Sequence, residues 1–236
     1  MACAIGWACD TMRIGILQTG HAPDELRSDF GDYDLFFRRL LGEETFEYAV
    51  YPVVDDVFPE SVADADGWLI TGSRFSVNDD DPWVGRLLDL IQEIKSSGRP
   101  MVGICFGHQA IAKALGGEVG ANPGGWVAGA SAYRGPDGAE DRTLLAWHKE
   151  QVLKLPEGAE VLAGSESCPF AILRYGDSAL TYQAHPEFTA DFIRGLVATR
   201  GQALSDEIKT WAGASDVADI ARARTGAEIT AFLKAG

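Results

Sequence analysis

Short apolar runs recur through the first half of the chain, separated by stretches whose apolar positions fall three and four apart. Residues 14–18, 46–51, 67–71 and 100–104 read as strands. The third is nearly all apolar, which predicts burial on both faces. Tyr33–Leu41 has the spacing of an amphipathic helix. Residues 83–97 place Val84, Leu87, Leu88, Ile91 and Ile94 on one helical face and stop at Gly98. A further helix is expected over residues 106–115. From 116 to 182 the pattern changes to short strands between turn signals, at Asn122-Pro123-Gly124-Gly125, Gly135-Pro136-Asp137-Gly138, Pro156-Glu157-Gly158 and Tyr175-Gly176-Asp177. From Thr189 to the end the chain reads helical.

Alternation of strand and helix predicts an α/β fold with a mainly parallel sheet covered on both faces. The middle region predicts an antiparallel extension of that sheet. No repeat, low-complexity tract or Pro/Ser linker divides the chain. The expected organisation is one domain over residues 12–236, its residues 189–236 a helical tail, preceded by a disordered extension over residues 1–11.

Composition narrows the function classes. Of 236 residues, 46% are hydrophobic and 23% charged, which suits a sizeable core. The net charge of −15 repels phosphate backbones and anionic lipid, so neither nucleic acid nor membrane is an expected partner. Cys3, Cys9, Cys105 and Cys168 are too few for a disulfide framework. They predict a reducing compartment, the cytoplasm, in which a special cysteine is catalytic. No apolar run has the length of a membrane span, and the first residues lack the basic and apolar regions of a secretory signal.

The most informative stretch is Met101-Val102-Gly103-Ile104-Cys105-Phe106-Gly107-His108-Gln109. A buried strand ends at Cys105 and a helix begins right after it, with a glycine two residues to either side. This is the pattern of a nucleophile elbow with Cys in place of Ser. A thiol at a helix N-terminus feels the positive end of the helix dipole, which favours thiolate. The Phe106 N–H has no helical acceptor and can serve an oxyanion. The alternative is a structural cysteine between glycines that allow close packing.

A cysteine nucleophile needs a base, and the base an orienting group. Of His21, His108, His148 and His185, the last follows a strand-like run in Gln183-Ala184-His185-Pro186-Glu187-Phe188. Pro186 biases His185 toward an extended conformation. Residues two apart in an extended segment share a side, so Glu187 can hold one imidazole nitrogen while the other faces the thiol. A surface His-Pro-Glu turn is the alternative. No second His or Cys lies at ligand spacing around it, so no metal is expected.

Together the two motifs resemble the class I, triad-type glutamine amidotransferases over roughly residues 12–192. Within them the resemblance is closest to free-standing, GMP-synthase-like members that have a glutaminase domain and no synthetase domain. The resemblance implies a flavodoxin-like three-layer sandwich, no cofactor, and a triad of Cys105, His185 and Glu187. It implies attack on the γ-carboxamide of glutamine or a γ-glutamyl compound, a γ-glutamyl thioester, and release of glutamate with ammonia or an amine. Ile70-Thr71-Gly72-Ser73 matches the loop that supplies the second oxyanion donor, so the N–H of Ser73 or Gly72 should pair with that of Phe106. Gln109 matches a residue that contacts the glutamyl head group. Trp147-His148-Lys149-Glu150 matches a segment whose backbone holds the substrate's α-amino and α-carboxylate groups, and the His148 imidazole is expected to take no part in proton transfer. Arg74 replaces a frequent Pro, Ala184 a frequent Phe and Trp147 a common Ser. Cys168 is expected to be structural.

A self-contained hydrolase is the first functional expectation. A glutaminase subunit feeding ammonia to a separate synthetase partner is the second, and a non-catalytic regulatory protein on the same fold the third. A deglycase-like or protease-like relative of the same architecture fits the His-Pro-Glu segment poorly. A homo-oligomer is compatible with all of them.

Overall fold

The structure is a computed structural model that describes residues 11–136, 141–217 and 219–236. Apart from Thr11, the expected N-terminal extension lies outside the described residues, as does the second half of the Gly135-Pro136-Asp137-Gly138 turn signal. In chain order the elements are β1 (Arg13–Leu17), α1 (Asp24–Phe30), α2 (Tyr33–Leu41), β2 (Glu47–Tyr51), β3 (Gly67–Ile70), α3 (Pro82–Ser97), β4 (Met101–Ile104), α4 (Phe106–Ala114) and β5 (Glu118–Ala121). There follow β6 (Val127–Tyr133), β7 (Arg142–His148), β8 (Glu150–Lys154), β9 (Glu160–Ala163), β10 (Ile172–Tyr175), β11 (Ala179–Tyr182), α5 (Ala190–Arg200), α6 (Asp206–Ala214) and α7 (Asp219–Ala235).

Seven strands form one sheet in the order β2-β1-β3-β4-β11-β10-β9. The five from β2 to β11 are parallel, and β10 and β9 add antiparallel. β3 and β4 are buried along their whole length, as a strand covered on both faces must be. On one face Phe37 and Leu41 of α2 and Ile229 and Leu233 of α7 pack on Ile14, Ile16, Leu69, Val102 and Ile104. On the other, Trp83, Leu87 and Ile91 of α3 and Phe106 and Ile111 of α4 pack on Leu17, Trp68, Ile70 and Met101. These are the three layers of a flavodoxin-like sandwich.

Local signals stop and start the helices where the apolar stripes end. Asp32 caps α2 by accepting from Tyr33 N, and Thr189 caps α5 by accepting from Phe192 N. Pro82 opens α3, and Gly98, in the left-handed region at φ 77°, closes it.

Two parts of the expected architecture take a specific form. The expected antiparallel extension of the sheet is formed by β9 and β10; among the described residues β5 with β8 and β6 with β7 form separate antiparallel two-stranded ribbons. The β6–β7 ribbon has its own support in α6, because Ser215 Oγ accepts from Ala130 N at 2.8 Å and Trp211 Nε1 donates to Ala130 O at 3.2 Å. The C-terminal region is helical, as expected. It breaks into three helices, and α7 returns to the sheet beside α2, where Ile229 and Leu233 are fully buried. Each such burial is worth about 1.5–3 kcal/mol.

Candidate active site

The chain converges on one cavity from the C-terminal ends of β3, β4 and β11, the place where ligands bind in open α/β sheets, and from the end of β7. Its position follows from strand register. β4 and β11 are parallel neighbours with Ile104 opposite Tyr182, so the residues after them, Cys105 and Gln183, emerge side by side.

Cys105 is the N-cap of α4 with φ 51° and ψ −101°, a backbone conformation that costs a non-glycine residue on the order of 1–3 kcal/mol. The surroundings enforce it. Cys105 N donates to Tyr182 O at 2.7 Å and Gly107 N donates to Thr71 O at 3.1 Å, which stitches the turn to both neighbouring strands. The glycines permit that closeness: a Cβ on Gly103 would sit 2.6 Å from Gly107 O, and one on Gly107 would sit 2.3 Å from Ile70 O. The first N–H of α4, that of Phe106, therefore points from a helix terminus with no intrahelical acceptor.

His185 Nδ1 lies 2.7 Å from Glu187 Oε1, and both side chains are almost fully buried. His185 N donates to Leu145 O at 2.8 Å, which ties this loop to β7. The imidazole lies flat on Phe188, with ring centroids 3.9 Å apart and planes 2° from parallel. Burial by itself lowers the His185 pKa, but the Glu187 carboxylate and the Cys105 sulfur outweigh it and raise it to about 10. Both neighbours thus favour the imidazolium form of His185.

The loop after β3 closes the site from the opposite side. A Cβ on Gly72 would lie 2.8 Å from His185 Cε1, so only a glycine leaves room for the ring. Thr19 pins this loop, with Oγ1 donating to Thr71 O at 2.9 Å, and Ser73 Oγ donates to Thr19 O at 2.6 Å. Ser73 also accepts from Phe75 N, so its hydroxyl is spent on holding the loop. Arg74 is exposed at the rim of the cavity, its guanidinium 4.9 Å from the Phe75 ring centroid.

Gln109 is buried and bridges the two halves of the site. Its Nε2 donates to Glu150 O at 2.8 Å and to Gln183 Oε1 at 3.1 Å. Gln183 Nε2 in turn reaches Cys105 Sγ at 3.6 Å. Trp147, His148 and Lys149 lie at the end of β7, and all three line the cavity. Within this segment Trp147 is half-buried, His148 buried and Lys149 exposed. Burial lowers the His148 pKa to about 4, a shift opposed by its bond to the Glu150 carbonyl and aided by His185. The neutral ring donates from Nδ1 to Glu150 O at 3.0 Å.

All ten residues singled out in the sequence meet here: Cys105, His185 and Glu187, then Gly72, Ser73 and Phe106, then Gln109, Trp147, His148 and Lys149. The sequence did not single out Gln183 and Phe188. The alternation that put Glu187 beside His185 also puts Gln183 on that side, which was an available signal. Phe188 carried none, because a stacked ring looks like any core aromatic. Among the described residues, the remaining cysteine and histidines are elsewhere. Cys168 is buried in the sheet core and burial pushes its thiol up to about 12. His108 is fully buried against Thr181 Oγ1, and His21 bridges Asp32 and Asp55. Among the described residues no group of three or more His, Cys, Asp or Glu could hold a metal, and no helix is long and apolar enough to cross a membrane.

Residues 28–192 match the family model for glutamine amidotransferase class-I. A glutamine amidotransferase-like protein of Schizosaccharomyces pombe is 31% identical over 78% of this chain and 82% of its own length. Gamma-glutamyl peptidase 4 of Arabidopsis thaliana is 30% identical over 72% of this chain and 74% of its own. The crystal structure of a glutamine amidotransferase from Methylobacillus flagellatus superposes with a TM-score of 0.72 at 23% identity, covering 96% of this chain and 93% of that one, which is a likeness of fold. An elbow cysteine and a His-Pro-Glu loop on a sandwich of this topology, within a matched span of this extent, make the chain a member of the class I glutamine amidotransferase family.

Proposed function

We propose that this chain hydrolyses the γ-amide of glutamine or of a γ-glutamyl amide or peptide, through a γ-glutamyl thioester on Cys105. The observation that carries the reading is the imidazole of His185, held at 2.7 Å by Glu187 and lining the same cavity as Cys105. The Cys105 thiolate attacks the amide carbon. The oxyanion that forms accepts from the N–H of Phe106 and that of Ser73 or Gly72. One such donor is typically worth about 2.7–4 kcal/mol. The tetrahedral centre collapses, the C–N bond breaks, and the His185 imidazolium gives its proton to the departing nitrogen. Neutral His185 then takes a proton from water, the hydroxide attacks the thioester, and collapse releases glutamate and regenerates the thiolate–imidazolium pair. Glu187 orients the ring and stabilises its cation at both stages. Gln109 and the backbone of Trp147, His148 and Lys149 hold the glutamyl head group.

The test is glutamate release by the purified protein from glutamine and from γ-glutamyl peptides, together with intact-mass spectrometry of acid-quenched enzyme. A glutamyl adduct on wild type that Cys105→Ala lacks, with activity lost, is the expected result. Undiminished glutamate release by Cys105→Ala would refute the mechanism.

A further inference from the structure

The cavity, of about 350 Å³, has two chemically different ends. One end is a polar network: Ser76 Oγ donates to Glu150 Oε2 at 2.7 Å and Gln109 Nε2 donates to Glu150 O. The other end is aromatic. Phe188, stacked on His185, continues into a cluster with Tyr33, Phe192 and Leu196, and Trp126 and Trp147 pack against that cluster with their rings 5.9 Å apart. Arg200, the last residue of α5, lines the cavity too. It is half-buried and close enough to Tyr33 to act on its phenol, and its guanidinium forms no ion pair among the described residues.

Proton transfer decides which part of a substrate meets which end. The departing nitrogen takes its proton from His185, so the amine half of the substrate lies on the His185 side, in front of the aromatic wall. Ammonia would leave that wall facing nothing. We infer that Trp126, Trp147, Leu196 and Arg200 form a leaving-group subsite for an amino acid or short peptide with an apolar, preferably aromatic, side chain and a free carboxylate. This rests on the γ-glutamyl hydrolase reading above and adds the class of leaving group.

The chemistry of each part fits. Indole and leucine surfaces favour a planar or branched apolar group over a charged one. A guanidinium takes a carboxylate through two parallel hydrogen bonds, which a carboxamide cannot match. The cation also answers a long-range problem. A γ-glutamyl peptide brings two carboxylates to a chain of net charge −15, and Arg74, Lys149 and Arg200 are the basic side chains around the cavity that can meet them. A cationic leaving group, such as a diamine, meets repulsion at the same place.

Three substrates test the inference: glutamine, γ-glutamyl-phenylalanine and γ-glutamyl-phenylalaninamide. Wild type should show the highest kcat/KM for the free acid, about 10-fold or more above its amide, as a charge-assisted hydrogen bond implies. Arg200→Met should bring the acid-to-amide ratio close to one, and Arg200→Lys should restore part of it. Trp126→Ala should lower kcat/KM for both phenylalanine compounds relative to glutamine. A wild-type ratio near one, a ratio that survives in Arg200→Met, or glutamine as the fastest substrate would each overturn the subsite while leaving the hydrolase reading intact. No glutamate from any of the three would sink that reading itself. Thermal melts of each variant separate a lost contact from a lost fold.

Discussion

Replacing Gly72 by alanine probes the clamp around His185 directly. The new Cβ would lie 2.8 Å from His185 Cε1 and 3.5 Å from Cys105 Cβ. Carbon atoms in contact settle about 3.5–4.0 Å apart, so the ring must move by about 0.7 Å or more while the cysteine need not. The retreat is restricted, because Phe188 stacks on the ring and itself rests on Phe192 and Phe36, while Glu187 holds Nδ1 at 2.7 Å. Gly72 is not in the left-handed region, so alanine strains no backbone dihedral and the effect is confined to the contact. Overpacking of this kind costs about 1–3 kcal/mol of stability. A misplacement near 1 Å in a catalytic group costs about 100-fold in rate. The expected outcome is kcat for glutamate release down by about 10- to 100-fold, KM little changed, and a melting temperature lower by a few degrees. Steady-state kinetics and a thermal melt read all three. A folded Gly72→Ala protein with kcat within about twofold of wild type would show that the imidazole is not clamped, and the geometric argument would fail.

Other outcomes follow from the same structure. A thiol alkylator should modify Cys105, which lines the cavity, well before Cys168, whose burial keeps it protonated with a pKa pushed up to about 12; peptide mass spectrometry showing Cys168 modified first would reverse the assignment. His185→Asn should lose about 100- to 10,000-fold in kcat, and Glu187→Gln less, because in the proposed mechanism only the imidazole moves the proton. The His185 pKa in the folded protein lies above its ordinary 6.5, at about 10. Its contribution to stability is therefore fully present below about pH 6.5 and is lost as pH rises through about 10. Denaturation at pH 7 and pH 10 should show this loss in wild type and a smaller one in Glu187→Gln, and equal slopes would contradict the linkage. Leu233→Ala should cost about 2–5 kcal/mol in chemical denaturation, because α7 is a layer of the sandwich; a loss under about 1 kcal/mol would mean that the helix is dispensable.

The amino-acid sequence by itself determined what short-range physics controls. The apolar runs at β1 to β4 and the one-sided stripes of α2 and α3 were legible because burial repeats with the period of each element. The elbow at Cys105 was legible because glycines two residues to either side have few other uses at a strand–helix junction, and the pairing of His185 with Glu187 because alternation in an extended segment is local. α1 was not legible, since only Leu26 among its seven residues is buried and no stripe forms. Tertiary structure alone decided which strands pair. The runs from 116 to 182 contain equally good β formers, and long-range closure sent β9 and β10 to the sheet edge and β5 to β8 into two ribbons. The same closure set β4 beside β11 in register, bringing Cys105 to Gln183 and His185 across some eighty residues of chain. It also gathered Trp126, Trp147, Leu196 and Arg200 at one end of the cavity. Side-chain periodicity reports which way a residue faces, whereas proximity between distant residues is set by the packing of whole elements, and no local pattern encodes it.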